Sequence, residues 1–263
     1  MQRSLVGSEM CIRDRSGIRS PISARWTPHC LHLGIGGRGG WNLGYYWRIK
    51  MAYIEINDCS KVIKKTTILD HIDLKLEKNR IYGFVGRNGS GKTMLFKILT
   101  GLAQPSSGEI RINGQRVSPQ SGYPAKLGVM IENNGLWPYL TAFENLSALA
   151  AIRRELSDEE IAAVIERVGL SNDGKKFAKY SLGMKQRLVF AQAIMEKPEL
   201  LILDEPTNAL DTEGVRLFKE IIRQEKERGA TVLIASHSLE DFPDFCDTII
   251  PMEAGRVVDP KRG

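Results

Sequence analysis

Gly86-Arg87-Asn88-Gly89-Ser90-Gly91-Lys92-Thr93 is the stretch on which the reading of this chain turns. It fits the pattern G-x-x-x-x-G-K-[ST], in which a loop wraps phosphate groups. An apolar run, Ile81-Tyr82-Gly83-Phe84-Val85, precedes it and reads as a buried strand. Met94 to Thr100 follows and reads as a helix. That order matters physically. Glycines let the backbone turn its N–H groups onto phosphate oxygens, and the new helix adds its positive N-terminal end. Gly86, Asn88, Gly89, Ser90 and Gly91 are the expected cradle. Lys92 should reach the β- and γ-phosphates, and the Thr93 hydroxyl should bind Mg²⁺.

A second apolar strand, Leu200-Leu201-Ile202-Leu203-Asp204-Glu205, ends in two acids. Ligands of parallel α/β sheets sit at the carboxyl ends of strands. Asp204 is therefore expected to hold Mg²⁺ through water, and Glu205 to act as the general base on an attacking water. Thr231 to His237 reads as another buried strand.

Outward from these strands the pattern divides. Tyr53 to Ile56 and Ile72 to Leu76 alternate apolar with polar, and Glu109 to Ile112 reads as a strand closed by an Asn113-Gly114 turn. This front section reads as antiparallel. The middle reads as helical. Thr141 to Ile152 has helical spacing, Ser157 to Glu160 is a capping-box start for a helix closed by Gly169, and Leu182 to Met195 is a third helix. A long helix spans Thr212 to Arg228, stopped by Gly229.

The formal charge of +6 would suit nucleic acid, but its placement does not. Residues 1–50 hold eight basic and two acidic residues, while the rest of the chain has 29 of each. Residues 1–50 also lack hydrophobic periodicity and a signal-peptide core. They are expected to be a disordered or non-native leader, with Met51 as the true start. No apolar run reaches the roughly 18 residues a membrane span needs. The four cysteines form no metal-ligand spacing, which favours a reducing compartment.

With these motifs in order, residues Tyr53 to Val258 resemble the ATP-binding subunits of ABC transporters. Tyr180-Ser181-Leu182-Gly183-Met184-Lys185-Gln186-Arg187-Leu188 resembles the family signature, with Leu182 and Met184 departing from its usual S-G-G-Q core. Asn208-Ala209-Leu210-Asp211 resembles the D-loop, and His237 matches the switch histidine. The loop that normally carries a glutamine has Glu132, which accepts hydrogen bonds but cannot donate as an amide does. Glu132 with this signature resembles the bacitracin/lantibiotic branch, which serves peptide-antibiotic export and self-protection. Ile63 stands where an aromatic residue often stacks on adenine.

The resemblance implies an α/β fold, a P-loop NTPase (RecA-like) core with an antiparallel β subdomain and a helical subdomain inserted at about 134–190. It implies ATP and Mg²⁺ as ligands and ATP hydrolysis as the activity. The catalytic group would be Glu205, His237 and Glu132, and the metal group Thr93, Asp204 and Glu132. Ser181, Gly183 and Asp211 would act across an ATP-sandwich dimer, formed with itself or a paralogue. The Asn133–Glu144 segment, with Trp137 and Tyr139, falls where the family docks a separate polytopic membrane subunit, though buried packing would serve its aromatics equally. The expected location is the cytoplasmic face of the cell membrane, held peripherally, with no nucleic-acid partner. Two alternatives stay open, a non-transport ATPase acting on ribosomes or nucleic acid and a degenerate, inactive subunit.

Overall fold

The computed structural model describes residues 52–118, 123, 125–132, 135–238 and 245–258. The expected leader, the Met51 start and Asn133 lie outside the described residues. Among those described, the elements in chain order are β1 (Ile54–Ile63), β2 (Thr66–Leu76), β3 (Ile81–Val85), α1 (Lys92–Leu99), β4 (Ser107–Ile112), β5 (Gln115–Arg116) and β6 (Leu127–Met130). Then come α2 (Ala142–Arg153), α3 (Asp158–Arg167), α4 (Leu182–Ile194), β7 (Leu200–Asp204), α5 (Thr212–Glu227), β8 (Thr231–Ser236), β9 (Thr248–Glu253) and β10 (Arg256–Val257).

The strands form two sheets. One has the order β2-β1-β4-β5 and is antiparallel throughout. The other has the order β10-β9-β3-β8-β7-β6, and its pairs from β9 to β6 are parallel. Strands of a parallel sheet are covered on both faces, so they read as unbroken apolar runs. The two faces can be followed residue by residue. Val85, Leu201, Leu203, Val232 and Ile234 face a cluster with Leu146, Ile165, Leu188 and Phe218 from the helices. Tyr82, Phe84, Leu200, Ile202 and Leu233 face the opposite cluster, with Leu95 and Phe96 of α1 and Ile54, Ile56 and Ile72 of the antiparallel sheet. Phe84 and Phe96 meet edge to face at 5.2 Å between ring centroids.

Helix starts follow local chemistry. Thr141 with Glu144 and Ser157 with Glu160 both form reciprocal capping boxes, each satisfying two otherwise orphaned N–H groups. Asn113 and Gly114 have φ of 51° and 77°, the left-handed pair that a tight hairpin between β4 and β5 requires.

Three expectations need correction. The strand read at Ile72 to Leu76 is the end of a longer one, β2, whose pairing with β1 shifts register between Ile56 and Cys59 and again beyond it. Asp58 and His71, both at φ 49°, take up the irregularity. Strand β7 stops at Asp204, because Glu205 turns to φ 49° and leaves the sheet; β8 likewise stops at Ser236, before His237. Strand β9 was not anticipated, since Pro251 interrupts its apolar run and a proline argues against a strand.

Candidate functional site

The phosphate loop joins β3 to α1. Gly91 is the residue before the helix, at φ 102°, and Gly89 has φ 82°, both in the region where side chains are strained. Gly86 is needed for space, since a Cβ there would lie 2.2 Å from the Met252 carbonyl oxygen. Lys92 is 5% exposed, and its Nζ donates to the Gly86 and Arg87 carbonyls at 2.5 and 3.3 Å. It also lies 4.0 Å from Glu205 Oε1. The loop thus closes around its own ammonium, in the position where phosphate oxygens would replace the carbonyls.

The strand ends bring the acids to this loop. The Thr93 hydroxyl donates to Asp204 Oδ2 at 2.6 Å. The other oxygen, Asp204 Oδ1, and the Ser90 hydroxyl are buried without a hydrogen-bond partner. Burial raises the Asp204 pKa and the Glu205 and Glu132 charges add to it, while the Thr93 bond and Lys92 oppose the rise. Register explains the next contact. In the β7–β8 pair Asp204 stands opposite Ala235, so the residues just beyond, Glu205 and His237, are neighbours. Glu205 Oε2 and His237 Nδ1 are 2.9 Å apart. Glu132, at φ 54° just past β6, meets Lys97 Nζ at 2.7 Å.

A second group surrounds the start of α4. Ser181 caps that helix, its hydroxyl accepting from Met184 N at 3.2 Å. Gly183 passes so close to the Asn208–Asp211 loop that a Cβ would sit 2.9 Å from the Ala209 carbonyl oxygen. Asp211 caps α5 through Gly214 N and meets Arg187 Nη2 at 3.2 Å. Leu182 projects outward, 69% exposed, whereas Met184 packs against the core. Gln186 donates to the Glu205 and Pro206 carbonyls at 3.1 and 3.2 Å, linking this group to the first.

The structure therefore unites Gly86 to Thr93, Asp204, Glu205 and His237, with Glu132 beside them. Ser181, Gly183 and Asp211 form the second group. Ile63 joins neither. It ends β1, 40% exposed, paired with Thr66 across the hairpin. Sequence reasoning missed Lys97 and Gln186 as contributors. Lys97 was findable, because it lies four residues after Thr93 and so shares its helix face. Gln186 carried no such signal.

A phosphate loop between β3 and α1, with acids at the end of β7, one strand removed from β3 in the same parallel sheet, defines a P-loop nucleoside triphosphatase. The family described as "ABC transporter" matches residues 69–208. An uncharacterized ABC transporter ATP-binding protein of Bacillus subtilis, YybJ, is 49% identical over 205 residues, covering 78% of this chain and 94% of its own. The bacitracin transport ATP-binding protein BcrA of Enterococcus faecalis is 40% identical over 209 residues, covering 78% of this chain and 68% of its own. Among solved structures, cbiO1 of Clostridium perfringens, described as part of the ABC transporter complex cbiONQ, superposes with a TM-score of 0.68 at 26% identity, over 80% of this chain and 88% of that one. The chain belongs to the ABC transporter family, as an ATP-binding, ATP-hydrolysing subunit. Among the described residues no helix is long and apolar enough to cross a membrane.

Proposed function

We propose that this subunit powers export of peptide antibiotics or similar amphipathic compounds through a separate polytopic membrane protein. The observation that carries the catalytic part is the convergence of Lys92, Thr93, Asp204, Glu205 and His237 at the ends of β3, β7 and β8. The export part rests on the likeness to the bacitracin transport protein and on Glu132 with the Ser181–Leu188 signature.

Each residue's part follows from its surroundings. The loop amides and Lys92 bind the triphosphate. Glu205 is the general base, and its side chain is steadied by His237 Nδ1 and its carbonyl by Gln186. The donor set suits Mg²⁺, a hard cation that takes one or two protein oxygens and completes its shell with water and phosphate. Thr93 and Asp204 would hold it, and the buried, unpartnered Asp204 Oδ1 is the oxygen left available. When bound, Mg²⁺ would neutralise charge developing on the transferred phosphate. Glu132 would adjoin this metal position.

Ser181, Gly183 and Asp211 would serve the nucleotide of a second copy or paralogue. The Ser181 oxygen already accepts from Met184 N, which leaves its O–H free to donate to a phosphate oxygen at the helix N-terminus. Ile63 would give the base an aliphatic contact. The membrane subunit would dock near Trp137 and Tyr139, 37% and 60% exposed. We take residues 134–190 as the inserted helical part and the cytoplasmic face of the membrane as the place of action.

The test is a mild-detergent pull-down of the tagged Glu205→Gln chain from its native cells. Co-purification of a polytopic membrane protein is expected. Ribosomes or DNA in its place, without a membrane protein, would contradict transport.

A further inference from the structure

One face of α1 reaches two neighbouring strand ends. Thr93 and Lys97, four residues apart, point to the same side of the helix. Thr93 bonds Asp204 at the end of β7, and Lys97 pairs with Glu132 just beyond β6. In the β6–β7 pair Met130 stands opposite Leu203. Just beyond that pair both chains turn out of the sheet, at Glu132 (φ 54°) and Glu205 (φ 49°), and the charges of both reach Asp204. Three carboxylates therefore crowd the edge of a site built for a polyanion. The charge of Glu132 extends to Asp204, where burial is the largest influence and Glu132 the smallest of five.

We propose that Lys97 is a positioning residue that neutralises Glu132 and holds its carboxylate aside until nucleotide arrives with its metal, so that this pair sets how strongly nucleotide binding depends on Mg²⁺. The proposal rests on the function proposed above. The pair is suited to such a role because it is easily opened. Glu132 is 60% and Lys97 27% exposed, and ion pairs this open to water are weak. An amide at position 132 would need no neutralising partner, whereas a carboxylate both repels a bare triphosphate and attracts a divalent cation. Lys97 also differs from Lys92, which is enclosed by loop carbonyls and directed at the phosphates.

The experiment compares ATP binding by isothermal titration calorimetry in EDTA and in Mg²⁺, with the full chain and without turnover as the readout. Lys97→Met retains the apolar stem and removes the charge. It should weaken metal-free ATP binding by about three- to ten-fold, the size of a short-range charge interaction across water, as suits a pair this open to solvent. In saturating Mg²⁺ the loss should largely disappear. Lys97→Arg should behave as the wild type. Glu132→Gln alone should tighten metal-free binding, and adding Lys97→Met to it should no longer change the ratio of the two affinities. An unchanged ratio in Lys97→Met would overturn the proposal. So would a ratio that moves as much in the Glu132→Gln background, since Lys97 would then act on the nucleotide directly. If Lys97→Met does not fold, the ratio in Glu132→Gln decides. Failure of the underlying reading looks different, with the wild type not binding ATP at all or Lys92→Ala binding it equally well.

Discussion

Asp204→Asn should make the nucleotide-free protein more stable while disabling it. In the free protein one carboxylate oxygen accepts from Thr93 at 2.6 Å, but Oδ1 is buried and has no partner. Burial already pushes this carboxyl toward its neutral form, against the help of Thr93 and Lys92. An unsatisfied buried polar group costs about 1–3 kcal/mol, and more when charged. Asparagine keeps the acceptor for Thr93 and removes the charge, but gives up the attraction of Lys92 and leaves its own amide to be accommodated. The balance is a gain of about 1 kcal/mol, which in a domain of this size raises Tm by roughly 2–4 °C. Differential scanning calorimetry at pH 7 measures it directly. With Mg²⁺ and ATP the order should reverse, because a ligand that binds only the folded state stabilises it in proportion to its affinity. A variant less stable than the wild type without ligand would refute the view that Asp204 is strained until it meets a cation. A variant stabilised by Mg²⁺-ATP as strongly as the wild type would refute its role as a metal residue.

Gly86→Ala forces a Cβ to within 2.2 Å of the Met252 carbonyl oxygen, so the loop must shift; ATP binding by calorimetry should weaken more than ten-fold, with a stability loss of about 1–3 kcal/mol. Glu225 is 2% exposed and ties Arg167 of α3 to Arg228 after α5, at 2.7 Å each. Both arginines are about one-third exposed and can regain water, so Glu225→Ala should cost about 2–3 kcal/mol, below the full price of an orphaned buried charge, and lower Tm by roughly 4–12 °C. At Asp247 burial works to raise the pKa, yet bonds from Lys226 and the Ile81 N–H and the charges of Lys226 and Arg80 together hold it below 3.8. A lowered folded pKa gives stability above the unfolded pKa that is lost as pH falls through the folded one. Asp247→Asn should therefore cost about 1–2 kcal/mol at pH 7 in a denaturant melt, and the difference from wild type should begin to narrow as pH falls below 3.8 and close only as it passes the lower folded pKa.

The legible parts of this protein were the local ones. The loop from Gly86 to Thr93 declares itself because its glycines, lysine and threonine act within eight residues. The capping box at Ser157 and the Asn113-Gly114 turn are similarly self-contained, whereas the equivalent box at Thr141 went unread. The apolar strands could be read as buried, since parallel strands lose their alternation when both faces are covered. Contacts made by strand order were beyond reach. Glu205 meets His237 because β7 lies beside β8, and Lys97 meets Glu132 because α1 packs on β7, whose neighbour in the sheet is β6; neither neighbourhood is written in spacing. The turn of Glu205 out of its strand was also hidden, since the apolar run continues smoothly into it. Pro251 concealed β9 because prolines ordinarily avoid strands, yet here it sits within one, paired with Val85.

The central claim is that Glu205 activates the water that cleaves ATP bound between this subunit and a second copy or paralogue. The deciding measurement follows ATP turnover and particle mass together for the full wild-type and Glu205→Gln chains in Mg²⁺-ATP, the mass by light scattering after size exclusion. Loss of a positioned base should lower turnover by about 10²–10⁴-fold. The account predicts that loss together with retained ATP and a species near twice the 29.4 kDa chain mass. Hydrolysis by Glu205→Gln at the wild-type rate would contradict it.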